Sequence, residues 1–379
     1  MPPNSPPRSA YLHVPFCRRR CGYCNFTLVA GRDDLIETYL AALEQELSWL
    51  GRPREVDTLF FGGGTPTHLS AQQLTRLFTV VDRWFPRTAT CEVSIEANPE
   101  DLDDARADVL AEAGVTRVSL GVQSFNSDKL RILERSHDAE GVSMAVERCR
   151  RFAASVSLDL IFAAPGETLA AWIGDLAQAL ALSPDHVSTY GLTFERGTRY
   201  WSRLLRDELA TAEEELQRDM YLAAIETLNA AGLQHYEVSN FAHAGHRCRH
   251  NEVYWQGEPY FAAGPGAARY VDGRRETNHR STTTWIKRVL AGESPVAESE
   301  TLPPESAARE RLVFALRRLE GVDLDEFSAR TGYQVAQLCG DEIDKFLALG
   351  MLELEGRRLR LTRAGLLISD ALWGEMLVA

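Results

Sequence analysis

The stretch 11-YLHVPFCRRRCGYCNFTL-28 contains three cysteines, Cys17, Cys21 and Cys24, in the spacing C-x3-C-x2-C. Thiolates are the usual protein ligands of structural zinc and of iron–sulfur clusters. A structural zinc site needs a fourth ligand, and the nearest candidate, His13, is predicted to lie inside a strand. A cubane cluster held by three cysteines instead leaves one iron open to a small molecule. The spacing favours such a cluster, with zinc as the alternative.

The sequence around the cysteines predicts an α/β fold, because β-rich runs alternate with amphipathic helical stretches from residue 9 to about 240. Such alternation predicts a parallel sheet, and six units predict a partial (β/α)6 barrel like part of a TIM barrel. The strand candidates are YLHV (11–14), VDTLFF (56–61), CEVSIEA (91–97), RVSLGV (117–122), SVSLDLIF (155–162) and HVSTYGL (186–192), and the helical stretches between them include 33–50, 71–85 and 167–182.

Functional residues of such barrels lie just after the C-terminal ends of the strands, and polar and glycine-rich motifs occur there in this chain. Glycines in FGGGTPT (61–67) let the backbone approach a ligand closely. Glu96 is placed to accept hydrogen bonds from ribose hydroxyls, and Arg135 is a natural partner of a ligand carboxylate. The alternatives are that Glu96 is a solvated strand-end acid and that Asp159 only orients its neighbours. The motifs that follow the third, fourth and fifth strands are SIEANPE (94–100), SLGVQSF (119–125), LERSH (133–137) and LDLIFAAPGET (158–168).

The cysteine loop directly after a first strand, followed by the glycine-rich loop, resembles the radical S-adenosylmethionine superfamily. In that superfamily the open iron binds the amino and carboxylate groups of S-adenosylmethionine, and a GGxTP loop holds the methionyl amino group. The resemblance implies that Cys17, Cys21 and Cys24 ligate a [4Fe-4S] cluster. It also implies S-adenosylmethionine contacts for Tyr11, Tyr23, Phe26, Gly62, Gly63, Gly64, Thr65, Glu96, Gln123, Arg135 and Asp159.

The motif series as a whole is similar to the family of oxygen-independent coproporphyrinogen III oxidase and the haem chaperone HemW. The oxidase has a fourth cysteine two residues after the third, where this chain has Phe26, as in the chaperone branch. The chaperone branch also carries an HNxxYW motif, matched here by HNEVYW (250–255). Imidazole can ligate haem iron and aromatic rings can cover a porphyrin face. The resemblance implies haem contacts for His250, Asn251, Tyr254 and Trp255, whereas the alternative is that these residues only pack this segment onto the barrel.

One position departs from the family's pattern. Ala268, in AAGPGAARY (262–270), stands where relatives commonly have a histidine. Any contribution of that histidine to haem or substrate binding is therefore absent here.

The sequence predicts four regions, which are a flexible tail (1–10), the radical S-adenosylmethionine barrel (11–235), an extension carrying the HNxxYW motif (236–295) and a C-terminal domain (296–379). The segment 294–306 is predicted to be a linker because of its prolines and small polar residues. Three helices and a hairpin at 351–362 resemble a winged helix of the type found in the oxidase. Because the third helix carries Asp341, Glu342 and Asp344, we expect a docking or lid domain.

Composition restricts the possible partners and the compartment. The net charge of −13 argues against binding to nucleic acid or to an anionic lipid surface. Seven cysteines, of which three are clustered, predict a reducing cytoplasm and one metal site. The N-terminus resembles no signal peptide, and no apolar run is long enough for a membrane span.

These features lead to one principal functional hypothesis and two alternatives. The first is a haem chaperone that carries haem as cargo to acceptor haemoproteins, including respiratory and membrane-associated ones. The second is a radical S-adenosylmethionine enzyme, either a coproporphyrinogen III dehydrogenase or a related methylase. Radical chemistry would require a reducing donor such as flavodoxin or ferredoxin. The third is a zinc-stabilised interaction protein. The sequence does not decide whether the chain is an enzyme.

Overall fold

A computed structural model describes residues 6–377 of the chain. Its strands in chain order are β1 (Ser9–Val14), β2 (Phe16–Cys17), β3 (Val29–Ala30), β4 (Val56–Gly63), β5 (Arg87–Ala97), β6 (Arg117–Gln123), β7 (Ser155–Phe162), β8 (His186–Gly191), β9 (Gln234–Glu237), β10 (Asn240–Ala242), β11 (Phe261–Ala263), β12 (Ala268–Val271), β13 (Arg274–Asn278), β14 (Val296–Thr301), β15 (Val322–Asp323), β16 (Leu352–Glu355) and β17 (Arg358–Leu361).

The helices are α1 (Ile36–Ser48), α2 (Ala71–Trp84), α3 (Asp104–Glu112), α4 (Ser127–Ile132), α5 (Ala139–Arg150), α6 (Leu169–Ala181), α7 (Arg199–Leu204), α8 (Glu214–Ala230), α9 (Arg249–Trp255), α10 (Thr282–Leu290), α11 (Pro304–Leu316), α12 (Leu324–Thr331), α13 (Val335–Ala348), α14 (Arg363–Leu367) and α15 (Ser369–Leu377). None of the described helices is long and apolar enough to cross a membrane.

The predicted six-stranded parallel arrangement is confirmed. Strands β1, β4, β5, β6, β7 and β8 are neighbours in that order and all pair in parallel. Strand β11 adds to the free side of β1 in parallel, and β10 adds to β8 antiparallel, with β9 outside it. The C-terminal ends of the six strands therefore lie at one edge of the sheet, where the predicted motifs follow them.

The residues in these elements fit the positions that they occupy, buried or exposed. Strand β7 (SVSLDLIF) is buried at every position except Asp159, as expected for a parallel strand covered on both faces. Helix α2 starts at a capping box formed by Ser70 and Gln73, and its apolar residues recur at helical spacing towards the sheet. The main core is made of these strand and helix faces together.

The boundaries of the predicted tail and linker need correction. Strand β1 begins at Ser9, so residues 9 and 10 belong to the sheet, and residues 1–5 of the predicted tail lie outside the described residues. The predicted linker at 294–306 contains β14, which pairs with β13 at the edge of a three-stranded sheet. This strand is polar and almost wholly exposed, so it lacks the apolar alternation by which strands are predicted.

Besides the pairing of β11 with β1, one buried carboxylate ties the extension to the barrel. Glu46 of α1 accepts hydrogen bonds from Gly264 N (2.8 Å), Asn278 Nδ2 (2.7 Å) and Trp285 Nε1 (3.2 Å). Burial raises the pKa of Glu46 to about 7, although these donors oppose the shift. One side chain therefore ties three segments of the extension to the first barrel helix.

The C-terminal region forms its own core and has the predicted order of elements. Helices α11, α12 and α13 and the hairpin β16–β17 surround a second hydrophobic cluster, and β15 completes a three-stranded sheet. The helix–strand–helix–helix–hairpin order is that of a winged helix. The four-region division of the chain remains a prediction.

Replacing Glu46 with alanine is expected to lower the free energy of unfolding by about 3 kcal/mol or more, because three buried donors lose their acceptor. Equilibrium denaturation with urea measures the change. Glu44→Ala is the matched control on the same helix, since Glu44 makes only a surface ion pair with Arg83 and should cost less than about 1 kcal/mol. Equal effects of the two substitutions would contradict the anchoring role of Glu46.

Candidate functional site

A cavity of about 680 Å³ opens at the C-terminal ends of the barrel strands. This volume is typical of a site for a cofactor or small ligand. The cavity brings together residues from the cysteine loop and from the ends of strands that are far apart in sequence. Among the predicted residues, Cys17, Cys21, Tyr23, Cys24, Phe26, Gly63, Gly64, Thr65, Glu96, Gln123, Arg135 and Asp159 line it.

The cysteine loop is held in place by backbone and side-chain contacts on several sides. Its first residues form β2, which pairs with β3. Gly22 N donates to Glu134 Oε2 at 3.0 Å, and Gly22 O accepts from Tyr200 N at 2.9 Å. Arg20 Nη2 donates to Leu28 O at 2.5 Å. These contacts fix the positions from which the three thiols enter the cavity.

The arrangement of the thiols fits a cluster better than a single ion. All seven cysteines are free, and Cys17, Cys21 and Cys24 line one cavity. Among residues 6–377, no three His, Cys, Asp or Glu side chains converge on one point where a metal ion could bind. A cubane does not require such convergence, because each thiolate binds a different iron.

His13 is not available as a fourth zinc ligand. Its Nε2 donates to Thr27 O at 2.7 Å, and its Nδ1 accepts from Tyr11 Oη at 3.0 Å. Burial lowers the pKa of His13 to about 4, so the ring is neutral. Both ring nitrogens are therefore engaged, which disfavours the zinc alternative.

The glycine-rich loop can lie against the cysteine loop because its glycines have no side chains. A Cβ on Gly63, whose φ is +112°, would lie 2.4 Å from the His13 ring. A Cβ on Gly64 would lie 2.7 Å from Phe16 O. Gly62, a further predicted contact, is the only one of the three glycines that does not line the cavity, and its Cβ position lies 3.0 Å from the Glu96 carboxyl. Glycine at these positions allows the close approach that the motif predicts.

A chain of hydrogen bonds runs from the first cysteine across the cavity floor. Cys17 Sγ lies 3.2 Å from Thr65 Oγ1, which accepts from Asn98 Nδ2 at 2.9 Å. Arg135 Nη2 donates to Asn98 Oδ1 at 2.5 Å and to Gly121 O at 2.6 Å. Burial raises the pKa of the Cys17 thiol to about 12, which Thr65 partly opposes. The guanidinium is thus oriented at the cavity wall, where it can meet an anionic group.

Two partly buried carboxyl groups, on β5 and β7, face the cavity. Glu96 Oε2 accepts from Gly63 N at 2.9 Å, and both Asp159 oxygens accept from Ser119 Oγ at 2.9 Å. Burial raises the pKa of Glu96 to about 7 and that of Asp159 to about 6. The partial burial of Glu96 and its hydrogen bond from Gly63 count against the alternative of a solvated strand-end acid. Both carboxyl groups can accept hydrogen bonds from hydroxyl or amino groups of a bound ligand.

Gln123 has an unusual backbone conformation and directly precedes residues that bond to a buried ionic network. Its φ is +65°, and the β6–β7 pairing is irregular between Gly121 and Gln123. Immediately afterwards, Phe125 N donates to Asp175 Oδ1 at 2.8 Å. Lys129 Nζ lies 2.9 Å from Asp175 and 2.5 Å from Glu167, which also accepts from Ala164 N. This network joins the loops that follow β6 and β7.

The structure does not place Tyr11 in this cavity, contrary to its predicted contact with S-adenosylmethionine. The Tyr11 hydroxyl donates to His13, and it is the His13 ring that lies next to Gly63. Tyr11 precedes His13 on the same face of β1 and therefore lies roughly 6–7 Å further from the cavity edge. It lines a second cavity instead.

The HNEVYW motif forms helix α9, and His250 is buried within it. His250 Nδ1 lies 2.8 Å from Thr58 Oγ1, and Nε2 lies 2.8 Å from Tyr254 Oη. The side chain is 1% exposed, and burial lowers its pKa to about 3. In this conformation neither ring nitrogen can reach a haem iron, which favours the packing role that was the alternative for His250.

Other residues of the motif line a second cavity of about 390 Å³ between α9, the extension and α11. Its walls carry the rings of Tyr254, Trp255, Tyr260, Tyr270 and Phe314, together with Tyr11 and Ala268. Asn251 lines neither of the cavities described above. Ala268 opens onto this cavity, so the missing histidine side chain leaves space there.

The second cavity contains two polar groups that could still bind a ligand. Trp255 Nε1 is buried and has no hydrogen-bond acceptor within the described structure. Arg311 Nη2 donates to Gly257 O at 2.6 Å, but the guanidinium makes no salt bridge with any residue in 6–377, and burial lowers its pKa. Arg275, by contrast, pairs with Glu310 at 2.6 Å. An N–H donor and a half-buried cation are thus available to an anionic ligand.

Comparison with known proteins agrees with both parts of the fold. The Radical SAM superfamily profile matches residues 11–178, and the HemN C-terminal domain profile matches residues 302–368. The structure of coproporphyrinogen III oxidase (HemN) from Escherichia coli, a radical SAM enzyme, superposes with a TM-score of 0.86 over 99% of this chain and 90% of that chain, at 22% identity.

Two curated relatives cover almost the whole length. Heme chaperone HemW of Bacillus subtilis is 33% identical over 98% of this chain and 99% of its own. Heme chaperone HemW of Mycobacterium tuberculosis is 35% identical over 96% of this chain and 93% of its own.

The barrel with its cysteine loop is that of a radical S-adenosylmethionine protein, a class that uses a [4Fe-4S] cluster and S-adenosylmethionine. The thiols, glycine loop and buried carboxyl groups of the first cavity fit these cofactors. Within this class, the chain belongs to the HemW family. The ligand assigned to each individual side chain remains a prediction.

Several residues that line the two cavities or support them from behind were not singled out by the sequence. Asn98 lies inside the EANPE motif, so its place in the motif could have indicated it. Asp175 and Lys129 lie in helices, where a charged residue normally indicates a solvated face. Arg311 likewise gives no sequence signal, since only tertiary packing places it beside Trp255.

Cys21→Ala is expected to abolish assembly of a full cubane, because it removes one of three protein ligands. Iron and sulfide analysis after anaerobic reconstitution measures the loss. Cys149→Ala is the matched control, since Cys149 is buried in α5 away from the cavity and should leave the iron content unchanged. A full complement of four irons in Cys21→Ala would make the three-cysteine assignment wrong.

Asp175→Asn is expected to lower the free energy of unfolding by about 3 kcal/mol, because Lys129 loses a buried partner. It should also weaken S-adenosylmethionine binding about tenfold, since an amide NH2 in place of Oδ2 cannot accept from Ser124 and Lys129, which loosens the loop containing Gln123. Denaturation and equilibrium dialysis measure the two effects. Asp108→Asn, which removes a surface ion pair with Arg151, is the control. Unchanged cofactor affinity in Asp175→Asn would show that the network does not support the site.

Proposed function

We propose that this protein is a haem chaperone that binds haem in the second cavity and transfers it to acceptor haemoproteins. Support comes from the two relatives named as haem chaperones, which align over nearly the full chain. The observation that carries the proposal is the aromatic cavity with Arg311, which has no carboxylate partner among the described residues, and with Trp255 Nε1, which has no acceptor there. Aromatic rings suit a porphyrin face, and a guanidinium suits a propionate.

The assignment of one ligand to each cavity follows from the positions of the two cavities. No residue lines both of them, so cofactor and haem are proposed to occupy separate sites. Tyr254 links the haem site to the barrel, because its hydroxyl bonds to His250, which in turn bonds to Thr58 of β4. His250 is therefore proposed to position Tyr254, and not to ligate the iron in this conformation.

The acceptors, including respiratory and membrane-associated haemoproteins, are part of the proposal. A cytoplasmic location is proposed because all seven cysteines are free. No role in nucleic acid binding is proposed, since the chain carries a net charge of −13.

The alternative function is that of a radical S-adenosylmethionine enzyme acting on a tetrapyrrole, including a methylase. The complete cofactor cavity, lined by both Glu96 and Asp159, favours retained chemistry there. When bound and reduced, the cluster supplies the electron for cleavage of S-adenosylmethionine. Phe26, in place of the oxidase's fourth cysteine, counts against coproporphyrinogen oxidation. Release of 5′-deoxyadenosine with a candidate tetrapyrrole would favour the enzyme.

Haem titration of anaerobically reconstituted protein, followed by Soret absorbance, tests the chaperone. We expect stoichiometric binding by the wild type and a roughly tenfold to hundredfold weaker affinity in Arg311→Met, because a charged hydrogen bond is lost. Trp255→Phe keeps an aromatic ring and removes only the N–H donor, so a smaller loss is expected. Transfer is measured by mixing the haem-loaded protein with a haem-free acceptor.

Two controls separate binding from packing. Arg363→Met removes an exposed arginine that pairs with Glu226 and should leave haem affinity unchanged. His250→Ala should lower stability, since Thr58 and Tyr254 lose a shared partner. No haem binding by the wild type would contradict the chaperone, and wild-type affinity in Arg311→Met would contradict this location for haem.

A further inference from the structure

Four arginines surround the outer side of the cysteine loop, and we refer to Arg19, Arg20, Arg196 and Arg280 as the arginine rim. All four are exposed, and none makes a salt bridge with any residue in 6–377. Arg19 and Arg280 line the mouth of the cofactor cavity. Arg20, Arg196 and Arg280 line an adjoining surface groove of about 540 Å³.

This concentration of unpaired positive charge is unusual for the chain. The protein carries a net charge of −13, and most of its arginines have carboxylate partners, as Arg8 has in Asp57 and Arg32 in Asp34. Like charges held close together repel one another, so the rim is unfavourable in isolation. An acidic partner would remove this repulsion and would be attracted to the rim over a distance of about 8 Å or more at physiological ionic strength.

Two rim residues are fixed against the backbone between the cysteines and β3. Arg280 Nη2 donates to Asn25 O at 2.5 Å, and its Nε donates to Thr27 Oγ1 at 3.2 Å. Arg20 Nη1 donates to Phe26 O at 3.3 Å. The Phe26 side chain is 66% exposed and lies among them. Exposed aromatic and arginine side chains together are typical of protein interfaces.

We propose that the arginine rim is the docking surface for an acidic one-electron carrier protein that reduces the cluster. One electron passes from the carrier to the cluster, so that a flavin hydroquinone becomes a semiquinone and the oxidised cluster becomes singly reduced; no bond is formed or broken. This inference rests on the proposed function, since it requires the cluster. A small, charged interface suits a transient redox encounter.

The surface suits a protein better than the carboxylates of a porphyrin. The groove is lined by three arginines and by mostly small or short side chains, including Thr27, Ser281 and Thr283. Among the described residues, Phe26 is the only aromatic one that lines it, so the groove offers little to cover a porphyrin face. The aromatic cavity beside Arg311 offers both the rings and the cation that a porphyrin requires.

The test uses the reconstituted holoprotein, with a flavodoxin as the acidic carrier. The variant Arg19→Glu/Arg196→Glu reverses two rim charges, neither of which makes a hydrogen bond to another described residue. Arg52→Glu/Lys287→Glu is the matched control, because both residues are exposed, lack salt bridges and line neither the cofactor cavity nor the groove. Flavodoxin affinity at low salt, and the rate of cluster bleaching by reduced flavodoxin, are measured for each protein.

We expect the rim variant to bind flavodoxin at least about tenfold more weakly than the wild type and to be reduced correspondingly slowly. Its flavodoxin affinity should also depend less on salt concentration. The control should behave as the wild type, and reduction of all three proteins by dithionite should be equal. Wild-type affinity and bleaching rate in the rim variant would overturn the proposal. It would also be overturned if the rim variant lost haem affinity and kept its flavodoxin affinity, since the rim would then bind cargo carboxylates.

The failure of this inference can be told apart from failure of the proposed function. Iron analysis shows whether the wild type holds the cluster, and haem titration shows whether it binds cargo. A wild type without a cluster would contradict both proposals. A wild type that has a cluster and haem, and whose reduction does not depend on the rim, contradicts the docking surface alone.

Discussion

The loop that carries the three cysteines is held by hydrogen bonds to parts of the chain that are remote from it in sequence. Gly22 binds Glu134 through its N–H and Tyr200 through its carbonyl, while Arg280 binds Asn25 O. Buried backbone groups must find such partners, and beyond the short pairing of β2 with β3 this loop has no regular strand or helix to supply them. The thiols can therefore occupy their positions only when the barrel and the extension are both folded.

The first strand connects this loop to the rest of the molecule. Leu12 and Val14 of β1 enter the hydrophobic core, whereas Tyr11 and His13 lie on the opposite face. His13 lies next to Gly63 at the cofactor cavity, and Tyr11 lines the aromatic cavity. Two positions on the same face of one strand, two residues apart, thus border the cofactor cavity and the proposed cargo cavity, which leaves the two sites close together.

Most of the fold could be predicted from the sequence, because buried strands and amphipathic helices repeat along the first part of the chain. The cysteine and glycine motifs likewise predicted the position of the first cavity, because the C-terminal strand ends of a parallel barrel meet at one edge. The edge strand β14 was missed because its residues are polar on both faces. The role of Asp175 was missed because a buried charge is recognised only once its partner Lys129 is known.

The second cavity shows the limits of motif-based inference most clearly. The HNEVYW motif predicted a ligand role for His250, but helical spacing places Tyr254 over it, and both ring nitrogens are engaged. Arg311, which no motif contains, supplies the cation of that cavity. Tertiary packing therefore decides which residues of the motif can face a ligand.

The central claim is that cofactor and haem occupy two separate cavities of one chain. Haem titration of the cluster-loaded protein, with and without saturating S-adenosylmethionine, tests it most directly. We predict one equivalent of haem in both titrations, with S-adenosylmethionine remaining bound throughout. Displacement of either molecule by the other in a competitive manner would contradict the account, because it would place both in the same cavity.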